Sequence, residues 1–356
     1  MRENASAQSE LILSQPQPLD QNAAAVYIAS LPADSGRRTQ AQALRVIAGL
    51  LDADLDRLNW GALRYQHTAA IRTRIAQIYK PATVNKMLSA LRQTLKQAWL
   101  LGQMTAEEYS RAIKLEPVTG KTIPTGRELS QGEILALMNA CTNDIDPETK
   151  ETTPAGTRDA AIIAILYAAG LRRDEVVKLD VNSYDPETGK LIVTGKRNKP
   201  RMAYITNGAA DALKDWLAIR GIRPGPLFAE VNKGGRVLIE RESMIVKPFR
   251  KIRGVEMPNK KAGQTIYRGG AMTSQAIYNM LAKRAREAGI KSFSPHDLRR
   301  TFISHLLDAG ADIATVSKMA GHANMQTTAR YDRRPEEAKR KAADLLHVPY
   351  KTHKAG

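Results

Sequence analysis

The chain of 356 residues contains a single cysteine, Cys141, few aromatic residues (5%), and no apolar run of 18 residues. One thiol excludes an intramolecular disulfide and a zinc site built on cysteines. The missing apolar run argues against a membrane-spanning helix, and the amino terminus MRENASAQSELILSQPQ lacks the apolar stretch of a secretion signal. A cytoplasmic protein is expected. A Walker-type glycine loop and the paired histidines of a zincin are also missing, so no nucleotide or metal cofactor is expected. Scarce aromatics speak against RNA recognition by base stacking.

Positive charge is what the chain has in excess. There are 54 Lys+Arg against 36 Asp+Glu, a formal net charge of +18. The hydrophobic content of 43% is that of a folded protein, so the charge is not the mark of a disordered basic tail. A folded basic protein most often meets a polyanion, with nucleic acid the first candidate. Residues 1–116 hold 14 basic and 10 acidic residues, which leaves 40 and 26 for residues 117–356. The excess therefore lies in the second part of the chain.

The apolar periodicity divides the chain in two. Residues 1–18 are polar and read as a flexible segment. Over 19–116, apolar residues at three- and four-residue spacing predict helices at Asn22–Leu31, Arg37–Leu51, Leu63–Ile78, Ala82–Leu101 and Ala106–Ile113. Pro81 opens the longest of these and Gly102 stops it. Residues 117–128, with two prolines and two glycines, read as an interdomain linker. A capping-box pattern at Ser130 and Glu133 starts a second domain over 129–346, followed by a tail over 347–356. Arg158–Ala169 reads as its core helix. Lys190–Thr194 and Arg201–Ile205 read as a β-hairpin around GKRNKP, Gly254–Gly270 as a surface loop, and Thr273–Leu346 as mostly helical. The fold class expected is mainly α with a small β-sheet: a helical bundle followed by a mixed α/β domain.

Candidate chemistry falls in four segments of the second domain. In AAGLRRDEV, Gly170 caps the core helix and turns Arg172 out to the surface, with Arg173 a competitor for any role there. In VTGKRNKPR, Lys196, Arg197 and Lys199 cluster at the hairpin tip, either to keep the edge soluble or to reach an anion. In SPHDLRRTF, His296 and Arg299 share one face of the first turn of a helix, whose free N–H groups favour an anion. In AGHANMQTTARYDRR, His322 follows a capping glycine and Tyr331 lies in a basic, Thr-rich stretch. Two guanidiniums, an ammonium, two imidazoles and a phenol together suit attack of a hydroxyl on a phosphodiester.

The order Arg172, Lys196, His296-Asp-Leu-Arg299, Gly321-His322 and Tyr331 resembles the tyrosine recombinase/integrase family, with phage-integrase and Xer-like members. The likeness covers about residues 20–346 and is most specific from Asp159 onward; the Gly254–Gly270 segment is longer than in compact members. The resemblance implies a helical core-binding domain and a catalytic domain that clamp a duplex, with Tyr331 as the nucleophile forming a 3′-phosphotyrosine. It further implies Arg172 and Arg299 on the non-bridging oxygens, Lys196 as general acid, His296 as base or proton shuttle, and His322 as a hydrogen-bond donor to the phosphate. Glu175 either orients Arg172 or is a plain helix-surface carboxylate. The implied partners are double-stranded DNA with inverted-repeat sites, a tetramer on two such sites, and accessory DNA-bending proteins. A type IB topoisomerase and a silent DNA-binding regulator are the alternative functions on the same chemistry and fold.

Two further expectations concern binding. Asn85, Ser89, Arg92 and Lys96 fall on one polar face of the helix at 82–101, either to enter the major groove or merely as a solvated face, while Leu88, Leu91, Leu95 and Leu100 face the bundle; Arg197 and Lys199 at the hairpin tip are further candidate DNA contacts. From Pro335 a helix with an apolar stripe of Ala338, Ala342, Leu345 and Leu346 follows the phenol closely, and reads either as an intersubunit device or as a helix folded back on its own domain.

Overall fold

The computed structural model describes residues 11–120, 126–195, 200–245, 248–252, 255–258, 265–322, 324–332, 340 and 343. The chain divides into two compact units, Met1–Pro124 and Thr125–Gly356. It is mainly helical with small antiparallel sheets. No helix among the described residues is long and apolar enough to cross a membrane.

The first unit contains α1 (Ala23–Ser30), α2 (Asp34–Gly49), α3 (Tyr65–Ile78), α4 (Pro81–Leu100) and α5 (Ala106–Ala112). Local chemistry sets their ends. The Asn22 side chain accepts the Ala25 N–H at 2.9 Å, Pro81 occupies the first turn of α4, and Thr105 and Glu108 form a reciprocal capping box. The start of α2 falls at Asp34, three residues before the expected Arg37, because an acid in the first turn suits the positive end of the helix. Leu44, Ile47, Trp60, Leu63, Ile71, Ile75, Leu88 and Leu91 are buried in one core.

The second unit is built around α7 (Pro154–Ala168), whose Ile162, Ile163, Ile165 and Leu166 are all fully buried. A helix apolar on every side must be covered on every side, and α6 (Gln131–Thr142), α9 (Asn207–Arg220) and α11 (Pro295–Asp308) pack on it. The short α8 (Arg173–Val176) follows it. Strands β1 (Tyr184–Asp185), β2 (Lys190–Thr194) and β3 (Pro200–Tyr204) form an antiparallel sheet in which Val193 pairs with Arg201 and Ile192 with Met202. Beyond the small β4 (Glu230–Val231) and β5 (Val237–Leu238), the chain continues through α10 (Ser274–Glu287), α12 (Ile313–Ala320) and α13 (Gln326–Ala329).

The segment Gly254–Gly270 is not the loop expected. Strand β6 (Glu242–Ile245) pairs with β9 (Thr265–Arg268), and β7 (Phe249–Ile252) pairs with β8 (Val255–Pro258), all antiparallel. Gly269 and Gly270 lie outside these strands, which carry the β-favouring Val255, Ile266 and Tyr267.

A buried ionic cluster ties α7 to α10. Arg284, fully buried, donates to Asp159 from Nε at 2.9 Å and from Nη2 at 2.7 Å, and also reaches Asp144 and Glu287. Arg158 donates to the other oxygen of Asp159. Removing Asp159 would leave two guanidiniums short of their common counter-charge. Asp159→Ala should therefore cost about 3–5 kcal/mol in urea unfolding, and a loss near the scatter of surface substitutions would contradict this role.

Candidate active site

Helix α12 ends where several boxes of the sequence converge. The last turn of any helix leaves carbonyls without intrahelical donors. Here Gly321 closes the helix in the left-handed conformation at φ 65°, and the His322 N–H returns to Ser317 O at 3.0 Å. Three guanidiniums take the neighbouring carbonyls. Arg201 Nε donates to Met319 O at 3.3 Å, Arg299 Nη2 to Ala320 O, and Arg172 Nη2 to Gly321 O at 3.5 Å.

Each arginine arrives by a different route. Arg172 caps α8 just after Gly170, which adopts φ 56° and lies so close to the Phe302 ring that a Cβ there would collide with it. Arg299 comes from the first turns of α11, is 1% exposed, and also donates from Nη1 to Gly170 O at 2.5 Å. Its Nε is buried without a hydrogen-bond partner among the described residues, so part of its donor capacity is uncommitted. Arg201 comes from the inward face of β3.

One carboxylate serves two of the three. Glu175 Oε1 accepts from Arg172 Nη1 at 2.9 Å and Arg201 Nη1 at 3.0 Å, and Oε2 accepts from the Arg172 backbone N–H and Arg201 Nη2, both at 2.9 Å. Glu175 is 5% exposed. Burial opposes its ionisation, but the hydrogen bonds from Arg201 and from Arg172 outweigh it and hold its pKa below the usual carboxylate range. Glu175 thus orients Arg172.

The histidines are kept neutral. His322 Nδ1 lies 2.8 Å from Thr328 Oγ1, on a buried threonine of α13. Burial, followed by the charges of Arg299 and Arg172, pulls its pKa from 6.5 to about 4. His296 is exposed at the start of α11, and its pKa is also lowered, by desolvation and then by Arg299 and Arg300, against the pull of Asp297. Burial and then Arg172 lower Arg299 to about 10, which leaves it charged at neutral pH. Tyr331 follows α13, half-buried against the cluster of Phe302, Ile303, Leu307 and Val316, with Arg300 Cζ 5.4 Å from its ring centroid.

Arg172, His296, Arg299, His322 and Tyr331 thus share one region of the second unit, while Lys196, Arg197 and Lys199 lie outside the described residues, as does the expected helix from Pro335 apart from residues 340 and 343, both helical. Sequence reasoning missed Arg201, Thr328 and Arg300. Strand alternation carried a signal for the first, since an arginine on the same face as buried Ala203 must find a partner inside.

In the first unit, two of the four candidate DNA-contacting residues are committed elsewhere. Asn85 exchanges hydrogen bonds with Val118, at 2.9 Å to its carbonyl and 2.8 Å from its N–H. Arg92 donates to Leu115 O at 2.5 Å and Ile113 O at 3.3 Å. Both pin the chain that follows α5, because its carbonyls there have no helical donors. Ser89 and Lys96 remain exposed, in line with Lys86 and Gln93. Leu100, expected to face the bundle, is 60% exposed, because it continues that same solvent stripe.

Comparison with known proteins places these features. Residues 127–337 match the family described as the Phage integrase family. The chain is 32% identical over 282 residues to tyrosine recombinase XerD of Lacticaseibacillus casei, covering 78% of each chain. It is 27% identical over 250 residues to tyrosine recombinase XerC of Alcanivorax borkumensis, covering 70% of this chain and 68% of that one. Its fold is similar to that of XerH site-specific recombinase bound to a palindromic difH substrate (17% identity, TM-score 0.58, 97% of this chain and 94% of the other). It is also similar to the Tn1549 transposon integrase in complex with transposon right end DNA (14% identity, TM-score 0.58, 93% and 99%).

Linkage fixes the sign of one effect. The unfolded chain titrates His322 near 6.5 and the folded one at about 4, so the unfolded state binds more protons between those values. The contribution of His322 to stability is present above pH 6.5 and is lost as pH falls toward 4. The melting temperature from pH 7 to 4.5 should fall less steeply in His322→Gln than in the parent protein; equal slopes would contradict a neutral His322.

Proposed function

Since the chain belongs to the phage integrase family of tyrosine recombinases, we propose that it is a site-specific DNA recombinase acting through a 3′-phosphotyrosine intermediate. The observation that carries this reading is the convergence of Arg172, Arg299 and His322 at the end of α12, close in sequence and space to Tyr331. The Tyr331 oxygen attacks the scissile phosphorus and the bond to the 5′-oxygen breaks. His296 takes the phenol proton, and Lys196 gives a proton to the departing 5′-oxygen. Arg172 and Arg299 hold the non-bridging oxygens. Neutral His322 takes part as the tautomer with its proton on Nε2, which donates a hydrogen bond to the phosphate while Nδ1 accepts from the Thr328 hydroxyl 2.8 Å away. Rejoining reverses these steps with a 5′-hydroxyl from another strand. The phosphoester bond is conserved throughout, so strand joining needs no nucleotide cofactor.

The substrate is double-stranded DNA with inverted-repeat sites, and the assembly is a tetramer on two of them, aided by DNA-bending proteins where the site needs them. The exposed row of Lys86, Ser89, Gln93 and Lys96 supports α4 as a duplex-contacting face, with Asn85 and Arg92 as its scaffold. Arg197 and Lys199 add phosphate contacts, and the segment from Pro335 docks between subunits.

Tyr331→Phe should bind a nicked suicide duplex normally and form no covalent complex on a denaturing gel, since only the attacking oxygen is lost. Arg172→Ala and Arg299→Ala should each slow cleavage by roughly 10²–10³-fold, the cost of losing one oxyanion donor. Covalent trapping by the Phe variant, or full rates in both Ala variants, would overturn the reading. Relaxation of a supercoil without exchange between two sites would make it a type IB topoisomerase instead.

A further inference from the structure

The structure assigns Arg201 to the reaction as a positioning residue that fixes the direction of Arg172 and the place of His322 through one guanidinium. This rests on the reading that Arg172 and His322 engage the scissile phosphate. Glu175 is a hub with four bonds, two on each oxygen, and Arg201 supplies one of the two on each. The remaining pair goes to Arg172, through its backbone N–H and its Nη1. With both oxygens held from the β3 side, the carboxylate has one orientation in which it can receive Arg172.

The third bond of Arg201 runs to Met319 O in the last turn of α12. Its aliphatic stem and guanidinium also lie against Gly321, where an added Cβ would come within 3.0 Å of Cδ and 3.2 Å of Nε. Gly321 directly precedes His322, so the residue that orients the carboxylate hub also seats the turn presenting the imidazole. Arg201 itself is 13% exposed at its side chain, has its donors directed at protein acceptors, and need not touch the DNA. Lysine cannot replace it, because one ammonium lacks the planar fork that spans both carboxylate oxygens while still reaching a carbonyl.

The test is a double-mutant cycle on single-turnover cleavage of a nicked suicide duplex, using Arg201→Lys, Arg172→Lys and the pair in the full chain. Arg201→Lys should slow cleavage by about 10–100-fold while changing the duplex Kd by less than about threefold, and should cost less than about threefold when residue 172 is already lysine. A merely structural arginine would give the same loss in both backgrounds, which would overturn the inference, as would a full cleavage rate in the single variant. Glu175→Gln keeps the shape of the hub and withdraws its charge. It should show the same dependence on residue 172 and decides the matter if Arg201→Lys does not melt cooperatively. Full cleavage by Arg172→Lys would instead sink the site assignment itself, and the inference with it.

Discussion

Everything at the candidate site depends on how the carboxyl end of α12 is satisfied. Carbonyls at a helix end carry partial negative charge and need donors. The chain supplies them from three separate elements: Arg172 from α8, Arg201 from β3 and Arg299 from α11. A single short turn therefore collects residues distant in sequence, and its geometry is shared by all of them. The glycines at 170 and 321 belong to the same constraint, since each brings backbone where a side chain would collide or strain.

The charge balance of this arrangement explains its chemistry. Three guanidiniums against one buried carboxylate leave two positive charges uncompensated around one turn. Arg300 and Asp297 stand 4.0 Å apart and largely offset each other. The histidines add no charge at neutral pH because their surroundings hold them unprotonated. A phosphodiester carries one negative charge, and more develops on its oxygens as a fifth bond to phosphorus forms. A site with two surplus charges is therefore better matched to the transition state than to the bound substrate, and only such a difference accelerates the reaction.

Much of this was legible in the sequence. The helices of the first unit follow the apolar spacing to within a few residues, and Asn22, Pro81, Thr105 and Ser130 mark helix starts by their chemistry. The order of Arg172, His296, Arg299, His322 and Tyr331 was readable because the segments that carry them begin at capping or turn signals, although Arg299 is then buried. Tertiary contacts were not readable. Arg201 looks like a hairpin charge until its facing carboxylate is known, and Asn85 and Arg92 look like a DNA-contacting face until the carbonyls of residues 113–118 are placed beside them. Gly254–Gly270 failed for a different reason: within it β9 pairs with β6, at least 20 residues earlier in the chain, while β8 closes a short hairpin with β7.

The central claim is that the phenol beside this arginine-held turn is the covalent carrier of DNA. Its most direct measurement is to trap the protein on a nicked suicide duplex, digest both components, and map the adduct by peptide mass spectrometry. The account predicts a nucleotide 3′-phosphate on the tryptic peptide of residues 331–333, at Tyr331. An adduct on any other residue, or cleavage with no adduct at all, would contradict it.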